Sequence, residues 1–162
     1  MQKLGAFMDS TFSGRLDEEK IKPIRDKWKG ILVIKGIAGE QDTQAAIRLG
    51  IDGIIVSNHG GRQLDAAESS IHSLSRIAAT YADKIKIMMD SGIRSGPDIA
   101  RSVASGAQFT FMGRTFMYGA AALGDRGGDH TIAILKKQLL QVMEQLGCEN
   151  ISGLKKHLVR NY

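Results

Sequence analysis

At 162 residues, 43% hydrophobic and 24% charged, the chain has the length and composition of one globular domain spanning 1–162 with a core of its own. Its single cysteine, Cys148, excludes an internal disulfide and a cysteine-built zinc site, and no apolar run reaches the ~20 residues of a membrane helix. The net charge of +5 is spread along a chain with 6% aromatics and no nucleic-acid motif, which favours small anionic ligands over nucleic acid.

The opening MQKLGAFMDSTFSGR lacks the apolar centre of a signal peptide. With the lone cysteine, this predicts a reducing, cytoplasmic location, with peripheral attachment at the inner face of the cytoplasmic membrane as the alternative placement. DSTFSGRL (9–16) reads as a loop and 17–28 as a helix containing Pro23. Four short apolar runs then read as strands: ILVIK (31–35), GIIVS (53–57), IKIMM (85–89) and FTFMG (109–113). They are bulky or β-branched and mostly continuous, the pattern of parallel strands covered by helices. Helical spacing falls between them, over 41–49, over 69–81 with Leu74, Ile77 and Tyr81 on one side, and from Pro97 onward. At least two helices follow, and LKKHLVR (154–160) reads as a terminal helix with a solvated basic face. Strand–helix alternation of this kind is α/β with a parallel sheet.

An internal repeat sharpens the fold. Gly36-Ile37, Asp42 and Gly50 recur as Gly92-Ile93, Asp98 and Gly106, each 56 residues on, with strands at the same offset. A gapless offset held through strand, loop and helix is the mark of a repeated βα unit. Repeated βα units close into a (β/α)8 barrel or lie in an open sheet, and the GxGxxG and GxxxxGK[ST] fingerprints of open nucleotide-binding sheets are absent. Eight-stranded barrels usually take ~250 residues and four strands make half of one; with no strong strand before residue 31, the chain reads as the C-terminal half of a larger unit.

Polar residues cluster where each strand ends. Lys35-Gly36 close the first strand, and Ser57-Asn58-His59 with Arg62 close the second. Asp90-Ser91-Gly92 with Arg94 close the third, and Gly113-Arg114 the fourth. In barrels that rim carries the chemistry, and phosphate sites form in the last two loops. Glycine there lets backbone amides approach a phosphate, while arginine supplies a bidentate charge.

SNHGGRQLD (57–65) resembles the active-site signature of the FMN-dependent α-hydroxy-acid dehydrogenases and oxidases. ILVIKG, DSGIRSGPDI and FMGRTFMYG support the resemblance, in the family's order and near its spacing, over roughly residues 7–155. The resemblance implies FMN as cofactor and oxidation of a small 2-hydroxy acid, such as L-lactate, to the 2-oxo acid. His59 then corresponds to the catalytic base and Arg62 to the clamp on the substrate carboxylate. Lys35 and Ser57 correspond to residues that contact the flavin. Asp90, Ser91, Gly92, Ile93 and Arg94, with Gly113 and Arg114, correspond to the cradle for its ribityl and phosphate groups. Ser91 departs from the family's usual Gly-Gly after the aspartate, a change that leaves the backbone amide in place.

The resemblance starts midway through the family's barrel. The strands that precede it carry a second substrate arginine, tyrosines and the carboxylate that orients the histidine, and none of these has a counterpart assigned here. The alternative reading is therefore a non-catalytic half-barrel that keeps a phosphate or FMN site. On either reading a four-stranded half leaves edges to cover, which predicts a homo-oligomer or an N-terminal half as partner. Outside the motifs, His72, His130 and His157 are expected to be structural and Cys148 inert. Phe109, Phe111, Met88 and Met89 are expected in the core.

Overall fold

The computed structural model describes residues 16–159, so DSTFSGRL lies almost wholly outside the described residues. The first element is helix α1 (Glu18–Lys27), whose N-cap Asp17 accepts a hydrogen bond from the Lys20 amide and which carries Pro23. Strand β1 (Val33–Ile37) leads to α2 (Glu40–Arg48), β2 (Gly53–Val56) to α3 (Ser70–Tyr81), and β3 (Lys86–Met89) to α4 (Gly96–Ala104). After β4 (Phe109–Thr110) come α5 (Arg114–Leu123), α6 (Gly127–Leu146) and a 3-10 segment, Ile151–His157. The strands pair in chain order β1-β2-β3-β4, all parallel. The basic stretch after 150 is thus a 3-10 turn and not a regular helix. It is anchored by buried Leu154, with Lys155 and Lys156 in solvent.

The 56-residue repeat is a repeat of backbone geometry. Helix α2 ends with the amides of Leu49, Gly50 and Ile51 donating to the carbonyls of Ala45, Ile47 and Ala46. Helix α4 ends with Ser105, Gly106 and Ala107 donating to Arg101, Val103 and Ser102, the same three bonds one repeat later. Gly50 and Gly106 hold the left-handed conformation that stops each helix, with φ of 71° and 113°.

The sheet is covered on one face. Ile54, Val56, Ile87 and Met89 point into a core with Ala46, Leu74, Ile77 and Tyr81 of the flanking helices. A second cluster joins α4 to α6 through Ala100, Ala104, Met143 and Leu154. The opposite face runs through the register partners Lys35, Ile55, Met88 and Phe109, and no described element packs over it. Val33 and Phe111 lie at the ends of the same face.

This corrects the expected core positions of two aromatics. Phe109 is 58% exposed and Phe111 41%, their rings 5.0 Å apart and tilted against each other, while Met88 is half-buried and Met89 buried. Strand side chains alternate between faces, so residues aligned with Met88 follow it onto the bare side. In a closed barrel that side is the packed interior. Bulky residues on both faces made the strands read as continuous runs.

Candidate active site

The four strands deliver their C-terminal ends to one cleft of about 780 Å3. Lys35, His59, Arg62, Asp90, Ser91, Gly92, Ile93, Arg94, Gly113 and Arg114 all line it. Ser57 is 2% exposed and lies beneath, where its hydroxyl organises the floor. Its Oγ accepts from Lys35 Nζ at 2.9 Å and from the His59 amide at 3.1 Å.

Lys35 also pairs with Asp90, Nζ to Oδ2 at 2.9 Å. Partial burial pushes the Asp90 carboxyl upward, but hydrogen bonds from Ser57, Lys35 and Ser91 outweigh it and hold the group below its ordinary value. Asp90 is thus an anion that fixes the Lys35 ammonium at the cleft floor, a role in addition to any contact with a cofactor.

His59 owes its place to an unusual turn. His59, Gly60 and Gly61 have φ of 56°, 69° and 73°, three successive left-handed residues. Only glycine enters that region without a Cβ clash, which is why two follow the histidine. Asn58 closes the turn, its Oδ1 accepting from the Gly60 amide at 3.0 Å and its Nδ2 donating to the Glu68 carbonyl at 3.2 Å. Glu68 is in turn gripped by Arg76 and Ser73 of α3, with Arg76 the larger cause of a carboxyl lowered to about 2. That clamp returns the exposed segment after Arg62 to the fold.

On the far side of the cleft, β3 and β4 end in open loops. A Cβ placed on Gly92 or Gly113 would meet nothing within 4 Å, so neither glycine is required by protein neighbours. Gly113 starts α5 with no side-chain cap, and it lines the cleft together with Arg114. Among the described residues Arg62, Arg94 and Arg114 form no ion pair, and Arg114 makes only a long 3.5 Å contact to the Gly60 carbonyl. Unpaired guanidiniums beside uncapped amides and side-chain-free glycines fit a phosphate group. Ile93 is buried under this loop, and its carbonyl accepts a long bond from Thr115 Oγ1.

Four residues have a part in the site that the sequence reading did not assign to them. Gly36, φ 96°, sits at a β-bulge and makes room for the imidazole. Asn58 carried a legible signal, an Asx residue two before a left-handed glycine. Met117 and Tyr118 of α5 line the cleft and are exposed, and only the packing of α5 brings them there.

Fold and site together define half of a parallel (β/α)8 barrel whose rim gathers a histidine, a lysine and three arginines around one cleft. The chain belongs to the FMN-dependent dehydrogenase family, whose model matches residues 1–161. Among curated proteins it is 40% identical over 153 residues to an L-lactate dehydrogenase of Alcaligenes faecalis, covering 94% of this chain and 40% of that protein. It is 42% identical over 151 residues to an L-lactate dehydrogenase of Vibrio parahaemolyticus, covering 93% and 39%. A crystal structure of mandelate oxidase with benzoyl-formic acid superposes with a TM-score of 0.83 at 34% identity, over 88% of this chain and 43% of that one. The chain thus spans about 40% of the length of the curated relatives it matches. Family membership implies FMN as the cofactor. Among the described residues no helix is long and apolar enough to cross a membrane.

Proposed function

We propose that this chain supplies the base-bearing, phosphate-holding part of a catalytic unit that oxidises a small 2-hydroxy acid, of the L-lactate type, to the 2-oxo acid. The observation that carries the reading is the convergence of His59, Arg62, Lys35 and two further unpaired arginines on one cleft. Bound FMN supplies the two-electron acceptor. His59 takes the proton of the substrate hydroxyl while the α-hydrogen leaves carbon with its bonding pair, so one proton passes to the base and a hydride equivalent to the acceptor. Arg62, exposed and free of any ion pair among the described residues, grips the substrate carboxylate with a planar fork. Lys35, steadied by Asp90 and Ser57, places a positive charge where negative charge grows on the flavin side. Arg94 and Arg114, with the amides near Gly92 and Gly113, hold the cofactor phosphate. The working unit is placed on the cytoplasmic side, with the bare sheet face covered by an N-terminal half-barrel.

The test is anaerobic stopped-flow reduction of flavin in the complete catalytic unit containing this chain. His59→Asn is expected to slow reduction by ~10²–10⁴ while flavin binding barely changes. Arg62→Lys keeps the charge but loses the fork, so substrate affinity falls along with rate. Near-normal reduction in the His59→Asn protein would overturn the assignment.

A second reading rests on the exposure of Phe109 and Phe111. By itself the chain pairs with a second copy through that face and retains only phosphate-led FMN binding. Flavin absorbance and the size of the purified chain in solution discriminate between the two.

A further inference from the structure

Among the described residues only two that are not glycine hold a left-handed backbone, His59 and Ser91, and both border the cleft. Ser91, at φ 75°, occupies a conformation that glycine would adopt without a Cβ clash. The hydroxyl is what serine adds over glycine, and its contacts are specific. It donates to Asp90 Oδ1 at 2.9 Å and accepts from the Gly60 amide at 3.0 Å, with Ser57 Oγ 3.4 Å away. The Ser57 hydroxyl holds the amide of His59 itself. Two serines, from the ends of neighbouring strands β2 and β3, therefore grip two consecutive amides of the turn that carries the imidazole. The same Ser91 hydroxyl bonds the carboxylate that steadies Lys35.

We propose that Ser91 is a positioning residue, whose hydroxyl ties the His59 turn to the Lys35–Asp90 pair and so orients the imidazole over the cleft. The proposal rests on the reading of His59 as base for its catalytic consequence, but not for the structural coupling itself. Asn58 Oδ1 shares the Gly60 amide, so losing Ser91 Oγ loosens the turn without unfolding it. The left-handed backbone at Ser91 is kept in spite of its strain because the hydroxyl does work that glycine cannot.

The test uses Ser91→Gly, which removes the hydroxyl and relieves the backbone, and Ser91→Ala, which removes the hydroxyl and keeps the Cβ. In the 162-residue chain, hydrogen exchange at the Gly60 amide and the ring resonances of the four histidines are followed by NMR, with the thermal midpoint alongside. Both variants are expected to speed Gly60 exchange about tenfold and to shift the His59 ring signals, leaving His72, His130 and His157 in place. Ser91→Gly is expected to do so with no loss of thermal midpoint. In the complete catalytic unit it lowers kcat, because the imidazole that Ser91 orients is the proposed base. Unchanged Gly60 exchange and His59 signals in both variants would overturn the proposal, as would shifts spread over all four histidines. If the His59→Asn protein reduces flavin normally, the proposed base falls, while the NMR result still decides the coupling.

Discussion

The imidazole of His59 lies directly against the α-carbon of Gly36: a Cβ placed on that glycine would be 2.8 Å from His59 Cε1. The contact joins the end of β1 to the turn after β2, and the bulge between Lys35 and Ile37 makes it possible by lifting Gly36 out of the ladder. The glycine that opens the sequence repeat is thus the wall against which the candidate base rests.

Gly36→Ala and Gly92→Ala form a matched pair, since the two glycines are repeat mates with φ of 96° and 81°. At Gly92 a Cβ enters open space, so the substitution carries only the backbone penalty, about 1–2 kcal/mol. At Gly36 the Cβ also collides with the ring, adding roughly 1–3 kcal/mol unless His59 swings away. Urea unfolding is expected to rank Gly36→Ala below Gly92→Ala, with displaced His59 ring signals in the first alone. Equal stability losses would mean the imidazole moves freely.

Lys35→Met removes the cation beside Asp90 and leaves its carboxyl with burial less fully opposed, so its titration moves upward. The sign of the stability effect follows. Asp90 is depressed in the folded chain, so its contribution is present above the ordinary value of 3.8 and is lost as pH falls through the lowered value. Without Lys35 the contribution is smaller, and its loss is complete at a higher pH. Carboxyl-carbon NMR of Asp90 from pH 7 to pH 2 checks this, and an unmoved titration would show that Ser57 and Ser91 alone hold the anion.

The bare sheet face makes the third expectation. Phe109→Lys with Phe111→Lys places charge on side chains already 58% and 41% exposed, so the folded chain is expected to lose no more than about 1 kcal/mol. Apolar dye binding and self-association should fall together. Light scattering of an unchanged species would show that association, if present, uses another surface.

Much of the architecture was legible because local physics repeats it. The helix stops at Gly50 and Gly106 need a left-handed residue, and the same three carbonyls must be satisfied each time, so the 56-residue spacing follows from backbone chemistry. The rim was legible for a related reason. The buried face of a parallel strand excludes charge, so Asp90 and Arg94 follow the end of β3, and Lys35, inside β1, projects from the bare face. Strand limits blurred by a few residues: β1 is Val33–Ile37 where 31–35 read as strand, and β4 is the short Phe109–Thr110. An apolar run shows that a segment is buried on some face, not where its ladder bonds begin.

Other features belong to the tertiary structure alone. A bulky residue on a strand has the same hydrophobicity on either face, so Phe109 and Phe111 could not be told from core residues until the register set them beside Met88. The Ser57 and Ser91 hydroxyls are 34 residues apart in the chain, and only the pairing of β2 with β3 brings both to the His59 turn. By itself the sequence determined the order of strands and helices and the types of side chain at the rim, because both depend on residues near in the chain. Folding decided which face of the sheet lies bare and which hydroxyl holds which amide, because those depend on distances between strands that no local pattern encodes.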